Sequence, residues 1–216
     1  MDRGISGYDT FIFDWDGTLN SMRWLMSLGE VAKQIKYRLV GRPNHYDGLP
    51  SAKSASLRRM VFATESAEAI PTVVADALFF LISKPKMHND ALAILKLLKK
   101  RGKRVCLFTN GSRWRVIREL KILGIYEYFD FVMSSRDVKV LKPDPRGLIS
   151  LMAAIKADKR KTVYVGDMVT DIITADLAKI DSCAIADGFD SFAKLRASKP
   201  THIFRSMEDM YKSLTK

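Results

Sequence analysis

Four carboxylates and one lysine stand out by where they fall in the chain. Asp14 and Asp16 lie two apart in FIFDWDGTL, at the end of an apolar run and just before Gly17, a residue that permits a sharp turn. Asp167 and Asp171 lie four apart in VYVGDMVTDI, at the end of a second such run. Between these pairs come Thr109, Asn110 and Gly111 in LFTNGS, and Lys142 in VLKPDP. Each has an ordinary explanation when taken alone. Acids suit helix starts, Thr and Asn cap helices, and a lysine before proline is usually solvated. Together they suggest a single purpose. Carboxylates bind a hard divalent cation that also seeks substrate oxygens, and exposed N–H groups at a helix start receive an anion. Like charges four apart cost a few tenths of a kcal/mol in an isolated helix, roughly, and a divalent cation removes that penalty. The chemistry within reach of such a set is that of an anion held beside a metal ion.

The elements that must position these residues are legible in outline. Short apolar, β-rich runs occur at residues 11–15, 104–108, 131–134, 162–165 and 182–186. From the second run onward, stretches with helical spacing separate them. Val116, Ile117, Leu120 and Leu123 mark one such helix, with Gly124 as its stop, and Leu148, Leu151, Met152 and Ile155 mark the next. The runs are continuously hydrophobic rather than alternating, as expected of strands buried on both faces of a parallel sheet. Repeated βα units predict a doubly wound α/β fold with a parallel, Rossmann-like sheet. Ligands then belong at the carboxyl ends of the strands, where strand order reverses. All four groups of chemical residues fall on that edge.

One stretch breaks the pattern. Residues 20–86 carry no strand signal, only amphipathic helix, with Met22, Leu25, Leu28, Ala32, Ile35 and Leu39 at helical spacing and further helices near Leu57 and Pro71. This predicts an inserted all-helical cap over 20–86, with the core domain formed by 1–19 and 87–216.

Composition sets the limits. The chain has 216 residues, 47% of them hydrophobic and 28% charged, enough apolar material for a core. Its longest apolar run without a charge, 77–82, cannot span a bilayer, and MDRGISGYDT lacks the hydrophobic stretch of a signal peptide. A cytoplasmic protein without membrane partners is the expectation. Cys106 and Cys183 lie in the strand-like contexts VCLF and SCAI and read as buried free thiols. A net charge of +12 favours an anionic partner, whether nucleic acid, membrane or phosphorylated metabolite. In LKLLKKRGKR, however, the cations sit at a helix C-terminus before Gly102, where they complement the dipole. No basic stretch with interleaved aromatics argues for nucleic acid.

At these residues the sequence resembles the haloacid dehalogenase superfamily of phosphotransferases. The first motif is Asp14-Trp15-Asp16-Gly17-Thr18-Leu19 and the second is Thr109-Asn110-Gly111. The third is Lys142 in Lys-Pro-Asp-Pro, and the fourth is Gly166-Asp167 followed by Asp171. A helical insertion directly after the first motif is similar to the cap of the phosphoglycolate phosphatase and beta-phosphoglucomutase branch. The resemblance implies a Mg²⁺-dependent phosphatase of a small phosphorylated metabolite, such as phosphoglycolate, with a phosphomutase of sugar phosphates as the alternative. A scaffold or nucleic-acid-binding protein using the fold without catalysis is the reading from another class.

The same resemblance implies roles. Asp14 is the nucleophile, and Asp16 protonates the leaving group and then activates water. Asp14, the Asp16 main-chain carbonyl, Asp167 and Asp171 hold Mg²⁺. Gly17, Thr109, Asn110, Gly111 and Lys142 bind the phosphoryl group. A second acid at Asp16 argues against dehalogenation, since a halide leaves without a proton. Arg42, His45, Arg58, Arg59 and Trp24 are candidates for reading the leaving group from the cap. Lys33, Lys36 and Lys53 are the cap lysines that a phosphonatase could use, and no signature selects one.

Overall fold

The computed structural model describes residues 4–21 and 85–216. The chain divides into two units, Met1–Ser21 with Ile82–Lys216 and Met22–Leu81, and the described residues belong to the first. Its sheet has six parallel strands: β1 Thr10–Phe13, β2 Arg104–Phe108, β3 Phe131–Met133, β4 Thr162–Gly166, β5 Asp181–Ile185 and β6 His202–Phe204. Their order, β3-β2-β1-β4-β5-β6, is that of a doubly wound sheet. The connections are α1 Ala91–Lys100, α2 Arg113–Ile122, α3 Arg146–Ala154, α4 Val169–Ala178 and the short α5 Phe192–Ala197, and α6 Met207–Thr215 follows β6.

The continuous apolar runs have the cause that sequence reading assigns them. Phe11, Phe13, Val105, Leu107, Val163 and Val165 point to one side, into a core shared with Ile94, Leu95 and Leu98 of α1, Val116 and Leu120 of α2 and Met210 of α6. Ile12, Cys106, Phe108 and Tyr164 point to the other side, against Leu148, Leu151 and Met152 of α3 and Ala175 and Ala178 of α4. Neighbouring strand residues face opposite ways, so both sets must be apolar when helices cover both faces. Cys106 and Cys183 are both free and buried, and burial pushes the Cys106 thiol up to about 12.

Strand ends shift by one or two residues from the sequence reading, and one strand was not read from it. The first strand ends at Phe13 rather than at residue 15, although the Asp14 N–H still donates to Val165 O at 2.8 Å and carries the ladder one bond further. The sixth strand, β6, is short, half-buried and at the edge, and its HIF tripeptide has too little length to declare itself.

The predicted cap lies outside the described residues except at its two ends. Those ends run side by side: Asn20 forms an antiparallel bridge with Met87, the Ser21 N–H donates to Lys86 O at 2.6 Å, and the His88 N–H donates to Leu19 O at 3.0 Å. The cap candidates Trp24, Arg42, His45, Arg58 and Arg59, and the lysines Lys33, Lys36 and Lys53, lie outside the described residues. Among the described residues no helix is long and apolar enough to cross a membrane.

Leu107 is fully buried in the middle of β2 and belongs to the larger core cluster. Leu107→Ala is expected to lower the unfolding free energy by about 2–5 kcal/mol, measured by urea denaturation of the full chain. A loss under about 1 kcal/mol would contradict close packing at this position.

Candidate active site

The chemical residues converge at the carboxyl ends of β1, β2 and β4. Carboxylate oxygens of Asp14, Asp167 and Asp171 lie within 4.8 Å of one another, and all three residues are buried. Asp14 follows β1, and its side chain takes the direction that strand alternation assigns after Ile12, toward the α3 and α4 side. Asp167 follows β4 directly and lies two residues before α4, while Asp171 is the third residue of that helix. The two acids therefore do not share a helix face, as their spacing suggests. The turn between β4 and α4 brings them together, held by a bond from the Met168 N–H to Asp171 Oδ2 at 3.0 Å.

Lys142 is the cation of this cluster. Its Nζ lies 2.8 Å from Asp14 Oδ1, 2.7 Å from Asp171 Oδ1 and 2.9 Å from the Tyr164 hydroxyl. Burial alone works against its ammonium, but Asp14 and Asp171 outweigh this and hold it well above the usual lysine range. Tyr164 donates its own proton to Phe108 O at 2.9 Å and so presents a lone pair to Lys142. Asp167 is satisfied separately, by the Thr18 hydroxyl at 2.6 Å and the Phe189 N–H at 2.7 Å. A methyl group at Gly17, where φ is 81°, would overlap the Asp167 carboxylate. The same holds at Gly188, so the acid is packed between two glycines.

Charge is not balanced here. Three buried carboxylates meet one ammonium, and the formal excess of two negative charges equals what a divalent cation carries. Burial pushes the Asp14 carboxyl up to about 7; Lys142 opposes the rise, while Asp171 and Asp16 add to it. Burial likewise holds Asp167 well above the usual carboxylate range. Asp14 Oδ1, though close to Lys142, accepts no directional hydrogen bond among the described residues. An all-oxygen donor set with a surplus of two charges fits a hard metal ion.

The remaining predicted residues are near but not all engaged as the sequence suggests. Thr109 is buried at the end of β2, and its hydroxyl accepts from the Gly111 N–H at 3.1 Å. The Asn110 side chain clasps the Lys142 backbone, accepting from its N–H at 2.9 Å and donating to its carbonyl at 3.3 Å. That amide fixes the lysine loop. Asp16 leaves the cluster altogether: its carboxylate is bound by both terminal nitrogens of Arg115, one contact being 2.9 Å. Only its main-chain carbonyl remains for the metal role that the resemblance implies. Thr18, Tyr164, Phe189 and Arg115 were not singled out from sequence. Thr18 lies inside the first motif, and Arg115 and Glu119 form an i, i+4 pair of opposite charge that could have been read as one.

Residues 11–185 match the haloacid dehalogenase-like hydrolases. The chain belongs to that family. It is thus an enzyme of the hydrolase class. Over 211 residues it is 29% identical to the pyrophosphatase PpaX of Halalkalibacterium halodurans, covering 94% of each chain. It is 26% identical to the phosphoglycolate phosphatase of Psychrobacter arcticus over 122 residues, 56% of this chain and 53% of that one. A crystal structure of a predicted phosphatase from Clostridium acetobutylicum shares the fold, with a TM-score of 0.69 at 22% identity, over 96% of this chain and 98% of the other.

The elevated Asp14 carboxyl links folding to protons. Without a cation, the folded chain holds a proton on Asp14 up to about pH 7, whereas an ordinary aspartate near 3.8 has already lost it. Folding then takes up a proton within that window, so stability falls as pH rises through it and stays reduced above. In chelator, the melting temperature is expected to drop between about pH 5.5 and 7.5, and millimolar MgCl₂ to raise it more at the higher pH. An equal rise at both pH values would contradict a cation held by these carboxylates.

Proposed function

We propose that this hydrolase is a Mg²⁺-dependent phosphatase acting on a small phosphorylated metabolite through an aspartyl-phosphate on Asp14. The observation that carries the reading is the meeting of Asp14, Asp167 and Asp171 around Lys142 at the carboxyl edge of the sheet. The phosphatase names of the relatives support it.

The chemistry explains why so much charge is gathered. A carboxylate about 4 Å from one negative charge meets roughly 4 kcal/mol of repulsion at an effective dielectric of 20, and a phosphate dianion doubles this. Mg²⁺ held by Asp14, the Asp16 carbonyl, Asp167 and Asp171 would supply two positive charges. Lys142, paired with Asp14 and Asp171, orients the nucleophile and offsets its charge. Thr109 and the backbone at Gly17, Asn110 and Gly111 receive the phosphoryl oxygens and align the group for in-line attack. Asp14 attacks phosphorus while the leaving oxygen takes the bond pair and a proton from Asp16. Asp16, now a carboxylate, removes a proton from water, which attacks the aspartyl-phosphate and frees Asp14. A helical cap over 20–86 would exclude water and select the leaving group.

Phosphoglycolate and pyrophosphate are the first substrates to test, after the names of the relatives. Asp14→Asn is expected to reduce phosphate release from every substrate of a phosphometabolite panel by at least about a thousandfold at unchanged folding. Acid-quenched protein should carry label from a phosphorylated substrate in the parent and none in Asp14→Asn. Retained turnover in that variant would rule out the covalent route, and a sugar phosphate isomer appearing in place of free phosphate would identify a mutase.

A further inference from the structure

Beside the carboxylate cluster lies a second set of buried charges, built around the base of α2. Trp15 is fully buried on the opposite side of the sheet from Asp14, and its indole N–H donates to Glu119 Oε2 at 2.6 Å. Glu119 in turn accepts from Arg115 Nη1 at 3.1 and 3.3 Å. The same nitrogen donates to Asp16 Oδ1 at 2.9 Å, and Nη2 bonds to Asp16 Oδ2. Arg115 and Glu119 side chains are only 7% and 2% exposed, against 21% for Asp16. The guanidinium is therefore held on a rigid side by the core and grips Asp16 on the open side.

Gly111 makes the grip possible. A Cβ at this position would lie 2.6 Å from Arg115 Nη2 and 3.2 Å from Asp16 Oδ2, so any side chain would push the guanidinium away. This is a steric role for Gly111 in addition to the backbone role assigned above.

We propose that Arg115, anchored by Glu119 and admitted by Gly111, is a positioning residue that fixes the orientation of the Asp16 carboxylate for proton transfer to the leaving group. The inference rests on the phosphatase reading with Asp16 as acid and base. Each carboxylate oxygen has two lone-pair directions, so an oxygen bonded to Arg115 still has one for a proton. As the phosphorus–oxygen bond breaks, that proton passes to the leaving oxygen, and the carboxylate left behind faces the guanidinium. The planar fork of arginine suits this, because it binds both oxygens at once and leaves one orientation.

A merely structural arginine and a positioning arginine separate by leaving group. An alkyl phosphate needs a proton on its departing oxygen, whereas 2,4-dinitrophenyl phosphate does not. Arg115→Ala is expected to lower kcat/KM for an alkyl phosphate about 10- to 100-fold, with less than about a threefold change for the dinitrophenyl ester. Arg115→Lys, with one point charge in place of a fork, should fall between. In an Asp16→Asn background, Arg115→Ala should change neither ester by more than about threefold. An equal loss on both esters in the parent background would overturn the proposal, as would a full further loss in the Asp16→Asn background. Arg115→Ala leaves Glu119 buried without its cation, so Arg115→Ala/Glu119→Gln serves as the variant of choice if the single one unfolds, with the same expected selectivity. A parent protein that hydrolyses neither ester would overturn the phosphatase reading itself, which is a different failure from equal losses.

Discussion

The structure is organised around a repulsion. Asp14, Asp167 and Asp171 bring three carboxylates into a buried space where charge is poorly solvated, and Lys142 is the ammonium set among them. Burying one ion costs several kcal/mol even after relaxation, and removing one partner of a buried pair costs about 3–5 kcal/mol. The surroundings are arranged accordingly. Thr18 and the Phe189 N–H serve Asp167, Tyr164 serves Lys142, and Asn110 holds the lysine's backbone in place. Burial holds the Asp14 and Asp167 carboxyls above the usual carboxylate range despite these partners. A site left with this excess of negative charge is one that a cation from outside would balance.

The first motif divides its labour by strand parity. Asp14 follows Ile12 toward the α3 and α4 layer, where Phe108 and Tyr164 also lie, and so reaches the carboxylate cluster. Trp15 follows Phe13 into the opposite core, where its indole N–H reaches Glu119. Asp16, past the strand end, meets Arg115. Three consecutive residues thus connect the carboxylate cluster, the hydrophobic core and the Arg115–Glu119 pair. Trp15 is the reason that core packing and the Asp16 carboxylate are mechanically joined, through Glu119 and Arg115.

Part of the positive charge lies in ion pairs remote from the carboxylate cluster. Lys103 and Lys161 both pair with Asp9, and Lys99 pairs with Asp130. Asp9, Lys103, Asp130 and Lys161 lie where β1, β2, β3 and β4 begin and Lys99 near the end of α1, at the edge opposite the carboxylate cluster. Exposed pairs of this kind contribute about 0–1 kcal/mol each and are screened by salt. They do not form part of the site. The carboxylate cluster is itself acidic, so it and these surface lysines are separate features of the charge distribution.

Local pattern carried much of this into the sequence. The apolar runs of β1, β2, β4 and β5 are continuous because both faces of each strand are buried, and the helical spacing read for α2 and α3 follows from one apolar stripe per helix. Asp14, Thr109 and Asp167 were legible because each sits where such a run ends, and Lys142 and Asp171 through the motifs that carry the family resemblance. What the chain pattern does not contain is partnership across distance. Arg115 and Asp16 are 99 residues apart, and Thr18 and Asp167 are 149 apart. Strand order and register bring them together. The Asn110 side chain clasps the backbone of Lys142, 32 residues away, a contact that no local pattern shows. The sequence by itself determined which residue types stand at strand ends, since periodicity is a local property of side-chain direction. Only the tertiary structure decided which of them meet, because that depends on how the strands are ordered in the sheet.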